Sequence, residues 1–211
     1  MEDVLDLYAE PYDPAYPTVC LDEKPVVFHA DARPGVPAAP GRVARYDAEY
    51  VRNGTANLFV CVEPLAGYRH IEPTARRTAQ DYAHILRWLV DEAYPDAEYI
   101  RLVQDNLNTH RPAALYQTFP PAAARRILRK LEFHYTPTHG SWLNMAEIEI
   151  AIVSRRCLRP RVGDPPTLAR RVAALEAARN RERRTITWSF TTQDARTKLH
   201  RLYPAGLDVQ T

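Results

Sequence analysis

Three carboxylates in this chain lie where a purely structural role is hard to find. Asp22 follows a short apolar run, Asp105 ends a second one, and Glu147 stands at the start of a helical pattern. An ionised carboxylate is costly to bury unless a counter-charge compensates it. Two strand-end aspartates and one helical glutamate that converge would form an oxygen-rich anionic site. Such a site suits Mg²⁺ or Mn²⁺, hard cations that keep waters and bind substrate phosphate.

Each of these acids also has a structural alternative. Asp22 could pair with Lys24 in an exposed turn, and Asp105 could form an Asx turn that caps the next helix. Asn144 and Glu147 have the spacing of a capping box, so Glu147 could satisfy the amino terminus of its own helix. The residues alone leave both interpretations open.

The strand pattern indicates which neighbours share a face with Asp22. Side chains alternate along a strand, so Asp22 lies on the face of Cys20 and Lys24, while Glu23 points to the opposite face. Apolar runs predict strands at Thr18–Lys24, Leu58–Val62, Tyr99–Gln104 and Phe133–Thr136. The Pro- and Gly-punctuated residues 25–57 predict extended connections or an edge hairpin.

Helical patterns alternate with the later strands. Thr78 and Asp81 resemble a capping box at the start of a helix that Pro95 ends. Further helices are predicted at Pro112–Phe119, Pro121–Leu131, Asn144–Leu158, from Pro166 onward, and at Thr192–Leu202. Strands followed by alternating helices and strands predict a mixed α/β sheet covered by helices, in a single domain.

Length and composition exclude several classes of protein. The chain has 211 residues with 45% hydrophobic and 26% charged residues, which is typical of one globular domain. It has no apolar run long enough to span a membrane and no secretory signal at its amino terminus. Three widely spaced cysteines, Cys20, Cys61 and Cys157, favour a reducing cytosol over a disulfide framework.

The formal net charge of +2 conceals two oppositely charged segments. Residues 1–30 contain seven acidic residues and one basic residue, a net charge of −6. Residues 155–201 contain thirteen basic and four acidic residues, a net charge of +9. A basic segment of this kind favours an electrostatic surface for a polyanion. The arginine-rich composition of a GC-rich genome is the alternative explanation.

Four motifs indicate which family of proteins this chain resembles. They are DEK from Asp22, YVRNGT from Tyr50, QDNLNTHRPAALYQTFPP from Gln104 and EFHYTPTHGSWLNMAEIEI from Glu132. Over about residues 18–205 the chain strongly resembles bacterial insertion-sequence transposases of the branch related to the mariner superfamily. The resemblance implies an α/β fold, an RNase H-like mixed five-stranded sheet flanked by helices, with an Asp-Asp-Glu triad.

Carried over residue by residue, the triad of the family matches Asp22 in DEK, Asp105 in DN and Glu147 in LNMAE. The runner-up for the third position is Glu149. Two residues on a helix differ by about 200°, so Glu147 and Glu149 cannot face the same site. Asp105 and Glu147 are 42 positions apart, longer than in the animal members of the superfamily. A helical excursion around FPPAAARRILRKL accounts for the difference.

The resemblance also implies a reaction and its partners. Two Mg²⁺ ions, or Mn²⁺ as a substitute, would share Asp22 and promote phosphodiester cleavage at transposon ends, then strand transfer into target DNA. Lys24 and the clusters Arg155–Arg161 and Arg179–Arg184 would contact DNA phosphates, unless these arginines are solvated helix faces. We expect a bacterial cytoplasmic protein, associated with the nucleoid and not with a membrane, that forms a homodimer.

Two further residues have functional and structural interpretations. His110 matches a position of the family and is expected to organise the loop after Asp105, with a minor catalytic role as the alternative. Trp142 could stack on a base, and packing at a helix start is the structural alternative.

Family members place a helix-turn-helix region before the catalytic domain, and this region is absent ahead of Asp22. We therefore expect one catalytic domain over residues 1–211, with a basic helical extension from about residue 160, and a separately encoded helix-turn-helix partner. Two alternatives stay open. One is a truncated or domesticated, non-catalytic DNA-associated remnant of a transposase, and the other is a generic RNase H-like nuclease.

Overall fold

The computed structural model describes residues 1–33, 35–36, 38–43, 49–107 and 110–203, which include a five-stranded mixed sheet in the order β3-β2-β1-β4-β5. Strands β1, β2 and β3 are antiparallel neighbours, whereas β1, β4 and β5 run parallel. The mixed five-stranded sheet predicted from the sequence is therefore confirmed. Its strands are β1 (Thr18–Asp31), β2 (Tyr50–Glu63), β3 (Tyr68–Thr74), β4 (Ile100–Gln104) and β5 (Leu131–Tyr135).

Strand β1 is twice as long as its apolar run predicts, because it continues through Pro25. Proline cannot donate a hydrogen bond and is tolerated only where a strand has a free edge. Such an edge exists here, because β1 pairs with β4 only from Thr18 to Cys20, while β2 accompanies β1 as far as Asp31. Residues 25–57 thus include a long hairpin. Residues 34, 37 and 44–48 of this predicted segment lie outside the described part of the chain.

Strand β3 was not predicted, because its sequence YRHIEPT is polar and contains a proline. Its outer edge is closed by side chains and not by another strand. The amide of Asn180 bonds both the backbone N–H and the carbonyl of Arg69, at 2.8 and 2.7 Å, and Glu176 accepts from the N–H of Ile71 at 2.8 Å. These contacts satisfy the edge groups that would otherwise pair with another chain.

Within the described ranges, seven α-helices cover the two faces of the sheet. They are α1 (Glu2–Ala9), α2 (Ala79–Trp88), α3 (Ala113–Thr118), α4 (Pro121–Leu128), α5 (Ala146–Val153), α6 (Pro165–Glu182) and α7 (Thr192–Lys198). Turns of π-helix extend α2 to Ala93 and α5 to Leu158. The predicted capping box of Thr78 and Asp81 is present at the start of α2. Helix α1 was missed, although Val4, Leu5 and Leu7 form a buried stripe.

Two hydrophobic cores result, one on each face. The first packs α1, α5, α6 and α7 on the face of Cys20 and Val103, and the second packs α2, α3 and α4 on the face of Leu21 and Leu102. The three cysteines are buried and free. None of the helices in the described ranges is long and apolar enough to cross a membrane. Residues 204–211, the end of the predicted basic extension, lie outside those ranges.

Candidate active site

Asp22 and Asp105 lie at the same edge of the sheet, Asp22 within β1 and Asp105 directly after β4. Cys20 of β1 is paired with Val103 of β4, and each aspartate lies two residues further along its chain. The two strands are paired no further than this, so both aspartates lie just beyond the last pair, at the same edge of the sheet. Asp105 directly follows β4, at the carboxyl end of a parallel strand, where open α/β sheets place their ligands.

Glu147 reaches the site from the first turn of α5, and Asn144 ties the start of this helix to β1. The Asn144 amide donates to the carbonyl of Leu21 at 2.8 Å and to the carboxylate of Asp22 at 3.3 Å. Its oxygen accepts from the N–H of Ala146 at 3.1 Å. Met145, at the N-cap position, makes no side-chain cap, and Glu147 does not close a capping box as the spacing allowed. The side chain of Glu147 is exposed, and Asn144 links the helix of Glu147 to Asp22.

The electrostatic environment of Asp22 brings these acids together. Burial raises the pKa of the Asp22 carboxyl to about 7, and the negative charges of Glu147, Asp105 and Glu23 add to this shift. A hydrogen bond of 2.7 Å from the Glu23 backbone N–H opposes the shift without cancelling it. The structure therefore places Asp22, Asp105 and Glu147 close enough for their charges to repel one another.

Sequence reasoning missed Glu23 as a residue of this site. Its side chain is buried on the opposite face of the sheet, where it bonds Nε2 of His110. The Nδ1 atom of the same ring lies 2.6 Å from the carboxylate of Asp105. The imidazole thus bridges the two acids. The available signal was the alternation of β1, which placed a carboxylate among apolar residues such as Val19 and Leu21.

His110 bridges the two acids as a cation. Burial by itself lowers the pKa of the imidazole, but the hydrogen bonds to Asp105 and Glu23 outweigh burial and raise it to about 9. Both ring nitrogens then donate to carboxylates. Gln104 donates to the carbonyl of His110 at 3.1 Å, and Tyr82 donates to Gln104 at 2.7 Å and stacks on the ring. This buried layer fixes the position of Asp105, as expected for a loop organiser.

Glu149 is not part of this site, although it was the runner-up for the third position. It is fully buried and bonds Nε of Arg69 at 3.1 Å and the guanidinium of Arg179 at 3.0 Å. The half-turn between positions 147 and 149 separates an exposed carboxylate from a buried one, as the helical geometry predicts. Arg179 belongs to this ion pair, so its predicted contact with DNA phosphates is wrong. Arg155 and Arg156 are exposed.

A cavity of about 290 Å³ opens beside Asp105 and is lined by polar groups, including Thr136, His139 and Ser141. His139 has a φ of 62°, a left-handed conformation that is rare for a bulky residue. The next residue, Gly140, must be a glycine, because a Cβ at this position would lie 2.6 Å from the side chain of Pro137. The tight turn directs the loop across the carboxyl end of the sheet, next to the acids.

A second group of potential metal donors shares only Asp105 with the predicted triad and includes neither Asp22 nor Glu147. Ligand atoms of Glu23, Asp105 and His110 lie within 4.8 Å of one another. The nitrogens of His110 already face carboxylates, so the groups that remain for a cation are oxygens. The second oxygen of Glu23 is buried and has no hydrogen-bond partner among the described residues. The site therefore combines four carboxylates with one imidazolium.

The sheet order and the acidic cluster at its carboxyl edge define an RNase H-like domain. The model of a family described as DDE superfamily endonuclease matches residues 17–169, which is more than half of the chain. The chain therefore belongs to the DDE superfamily endonucleases. No curated protein matches the sequence.

Solved structures of a mariner transposase share this fold. The Mos1 mariner paired end complex with Mn matches with a TM-score of 0.56 and 18% identity over 86% of this chain. The Mos1 strand transfer complex has a TM-score of 0.50 and 18% identity over 83% of this chain, and the paired end complex with Mg has 0.50 and 19% over 83%. The chain spans about half of these proteins, 54% of the first and 52% of the other two.

Proposed function

We propose that this chain is the catalytic domain of a DDE transposase, which cleaves DNA phosphodiester bonds with divalent metal ions and joins the cut strand to target DNA. Asp22, Asp105 and Glu147 are the proposed catalytic residues and metal ligands. The observation that supports the proposal is that the negative charges of Glu147 and Asp105 both act on the carboxylate of Asp22, just beyond the last pair of β1 and β4.

The donor set fits the proposed metal. Mg²⁺ and Mn²⁺ prefer oxygen ligands, and the three acids supply carboxylate oxygens where one imidazolium does not balance the negative charge. When bound, two such ions supply Lewis acidity to the attacking and leaving oxygens of an in-line displacement. Asp22, which is half-buried and central among the acids, is the residue that both ions would share.

The surrounding side chains have distinct roles in this proposal. Asn144 orients the Asp22 carboxylate and anchors the helix of Glu147. His110 holds one oxygen of Asp105 by a hydrogen bond of 2.6 Å and thereby fixes the position of this carboxylate. Lys24, two residues after Asp22, would contact a DNA phosphate, and the exposed Arg155 and Arg156 would follow the sugar-phosphate backbone without reading sequence.

The partners follow from the same proposal. The matched Mos1 structures are described as paired end and strand transfer complexes, so we propose transposon ends and target DNA as substrates and a homodimer as the assembly. The proposed setting is the cytoplasm of a bacterium, at the nucleoid.

A DNA cleavage assay tests this function. The chain, alone and joined to a helix-turn-helix region, is incubated with supercoiled plasmid and Mn²⁺ or Mg²⁺. We expect metal-dependent nicking that Asp22→Asn, Asp105→Asn or Glu147→Gln reduces to the metal-free background. The matched control is Asp96→Asn, an exposed acid after α2 that should leave nicking unchanged.

The same assay separates the competing functions. An oligonucleotide with a free 3′-hydroxyl should be joined to the plasmid by a transposase, whereas a generic nuclease only cuts. If the wild-type chain never cuts, even when joined to the DNA-binding region, the non-catalytic remnant replaces our proposal.

A further inference from the structure

Three aromatic rings form a continuous surface next to the acidic site. Trp142 stacks on Trp188 with ring centroids 6.2 Å apart and planes 21° from parallel, and Phe190 meets Trp142 edge-to-face at 5.5 Å. We call these three residues the aromatic platform. Trp142 is 44% exposed, which is unusual for the largest apolar side chain in a folded domain.

The platform begins where the carboxylate site ends. Trp142 lies in the short 3₁₀ turn Ser141–Leu143. On one side of it, Ser141 lines the cavity beside Asp105, and on the other side Asn144 bonds the carboxylate of Asp22. A DNA strand whose phosphate reaches these aspartates therefore passes within one or two residues of the exposed indole.

Packing explains only one side of Trp142. Its inner side rests on Trp188, which in turn contacts Tyr8 at 5.4 Å and belongs to the rim of the first core. The outer side is left to solvent. By contrast, Trp88 on α2 is stacked against His70 at 3.8 Å. An exposed aromatic surface beside a cavity indicates a binding site for a flat apolar group.

The position of the platform beside the proposed site for a DNA strand favours a nucleobase as the occupant. Trp188 and Phe190 belong to the basic segment 155–201, but acids of α1 offset this charge locally, since Arg196 pairs with Glu2 and Asp6 lies beside both rings. The ammonium of Lys198 lies 5.6 Å from the centre of the Phe190 ring, although Asp194 neutralises part of its charge. A flat ring flanked by a cation matches a nucleobase followed by its phosphate. Aromatic side chains next to basic groups are the usual platform for single-stranded DNA.

We propose that the aromatic platform binds an unpaired nucleobase of the DNA strand end held at the catalytic carboxylates, with Trp142 as the stacking residue. The inference rests on the proposed function and adds a ligand subsite to it. Stacking uses the flat face that every base presents, so the platform selects unpaired over paired ends and does not select sequence.

Equilibrium binding tests the platform without requiring chemistry. Two fluorescent duplexes are compared in Ca²⁺, one fully paired and one with a short unpaired 3′ extension, and a gel verifies that both stay uncut. We expect Trp142→Ala to weaken binding of the extended duplex by about ten- to a hundredfold, and binding of the paired duplex by less than about twofold. Trp142→Phe keeps an aromatic face and should retain most of the preference.

A control residue of equal exposure is available. Tyr116 on α3 is 45% exposed and its helix packs on the opposite face of the sheet, so Tyr116→Ala should leave both affinities unchanged. In the wild-type chain, 2-aminopurine placed in the extension should be quenched on binding, and Trp142→Ala should abolish the quenching. Thermal unfolding of each variant verifies that the fold is kept.

The outcomes separate this inference from the proposed function. Equal losses for both duplexes, with a changed sedimentation coefficient, would make the platform an interface between copies and overturn the inference. Unchanged binding by Trp142→Ala would overturn it as well, whether or not the chain cuts DNA. If the wild-type chain never cuts but the selective loss is measured, the platform stands and the cleavage proposal fails.

Discussion

Helix α5 carries two glutamates in opposite electrostatic surroundings. Glu149 is buried between the guanidinium groups of Arg69 and Arg179. Glu147 is exposed, faces the acids on β1 and β4, and forms no ion pair with the described residues. A buried charge that the protein compensates itself belongs to its structure. Glu147 and the neighbouring aspartates are not fully compensated by positive charges of the protein, so they can bind a cation from solution. For this reason we assign them to function.

The largest expected difference is in the free energy of unfolding, when Glu149 and Glu147 are each replaced by an uncharged residue. Glu149→Leu leaves two buried guanidinium groups uncompensated, and we expect it to lower the free energy of unfolding by about 3–5 kcal/mol. Glu147→Leu on the exposed side should change it by less than about 0.5 kcal/mol while abolishing metal-dependent cleavage. Urea denaturation with a nicking assay measures both. Equal destabilisation by the two changes would contradict the comparison.

The pH dependence of stability should reveal the uncompensated site. The pKa of Asp22 is raised to about 7 from an ordinary value near 3.8, so the folded state binds this proton more tightly than the unfolded chain does. Because the pKa of His110 is also raised, to about 9, stability continues to decrease above pH 7 for a separate reason. The contribution of Asp22 is a fall of roughly 2–4 kcal/mol in EDTA as the pH rises from about 4 to 7. Asp22→Asn should remove most of this fall.

The control for this experiment is Asp96→Asn, which should keep the wild-type pH profile because Asp96 is exposed. An unchanged profile in Asp22→Asn would show that the carboxylates at this site do not repel one another in the folded protein.

His110 combines features of both regions. It is a buried, compensated charge like Glu149, and it also positions Asp105 at the acidic site. His110→Gln removes the charge that faces Glu23 and Asp105, and we expect a loss of about 2–3 kcal/mol in the free energy of unfolding. Metal affinity, measured by calorimetric titration with Mn²⁺, should fall by roughly 10- to 100-fold because Asp105 loses its support.

Gln104→Leu is a useful comparison, since it disturbs the same buried layer without removing a charge. If it reduces metal affinity as much as His110→Gln does, the packing of the loop and not the imidazolium charge positions Asp105.

The smallest expected effects concern two asparagines with similar bonding. Asn180 holds the backbone of β3, and Asn144 holds the backbone of β1 and the carboxylate of Asp22. Each change to alanine should lower the free energy of unfolding by about 1–2 kcal/mol. Only Asn144→Ala should also slow DNA cleavage. Equal cleavage rates for Asn144→Ala and Asn180→Ala would show that Asn144 has no role in the proposed site.

Local sequence indicated the central strands, most helices and three of the four acids at the candidate site. The apolar runs before Asp22 and after Tyr99 form buried strands because continuous hydrophobic stretches are stable only inside a sheet. The capping box of Thr78 and Asp81 begins α2 because its side-chain oxygens satisfy N–H groups nearby in sequence. Helical periodicity likewise separated Glu147 from Glu149.

Only the tertiary structure decided which charges compensate one another. Glu23 and His110 are 87 positions apart, and Arg69 and Glu149 are 80 apart, so no local pattern relates them. Strand β3 and helix α1 escaped prediction for the same reason: the partners that stabilise them, α6 and the first core, are remote in sequence. Periodicity reports which side of an element is buried. Whether a buried charge has a partner of opposite charge depends on which residues, remote in sequence, the tertiary structure places next to it.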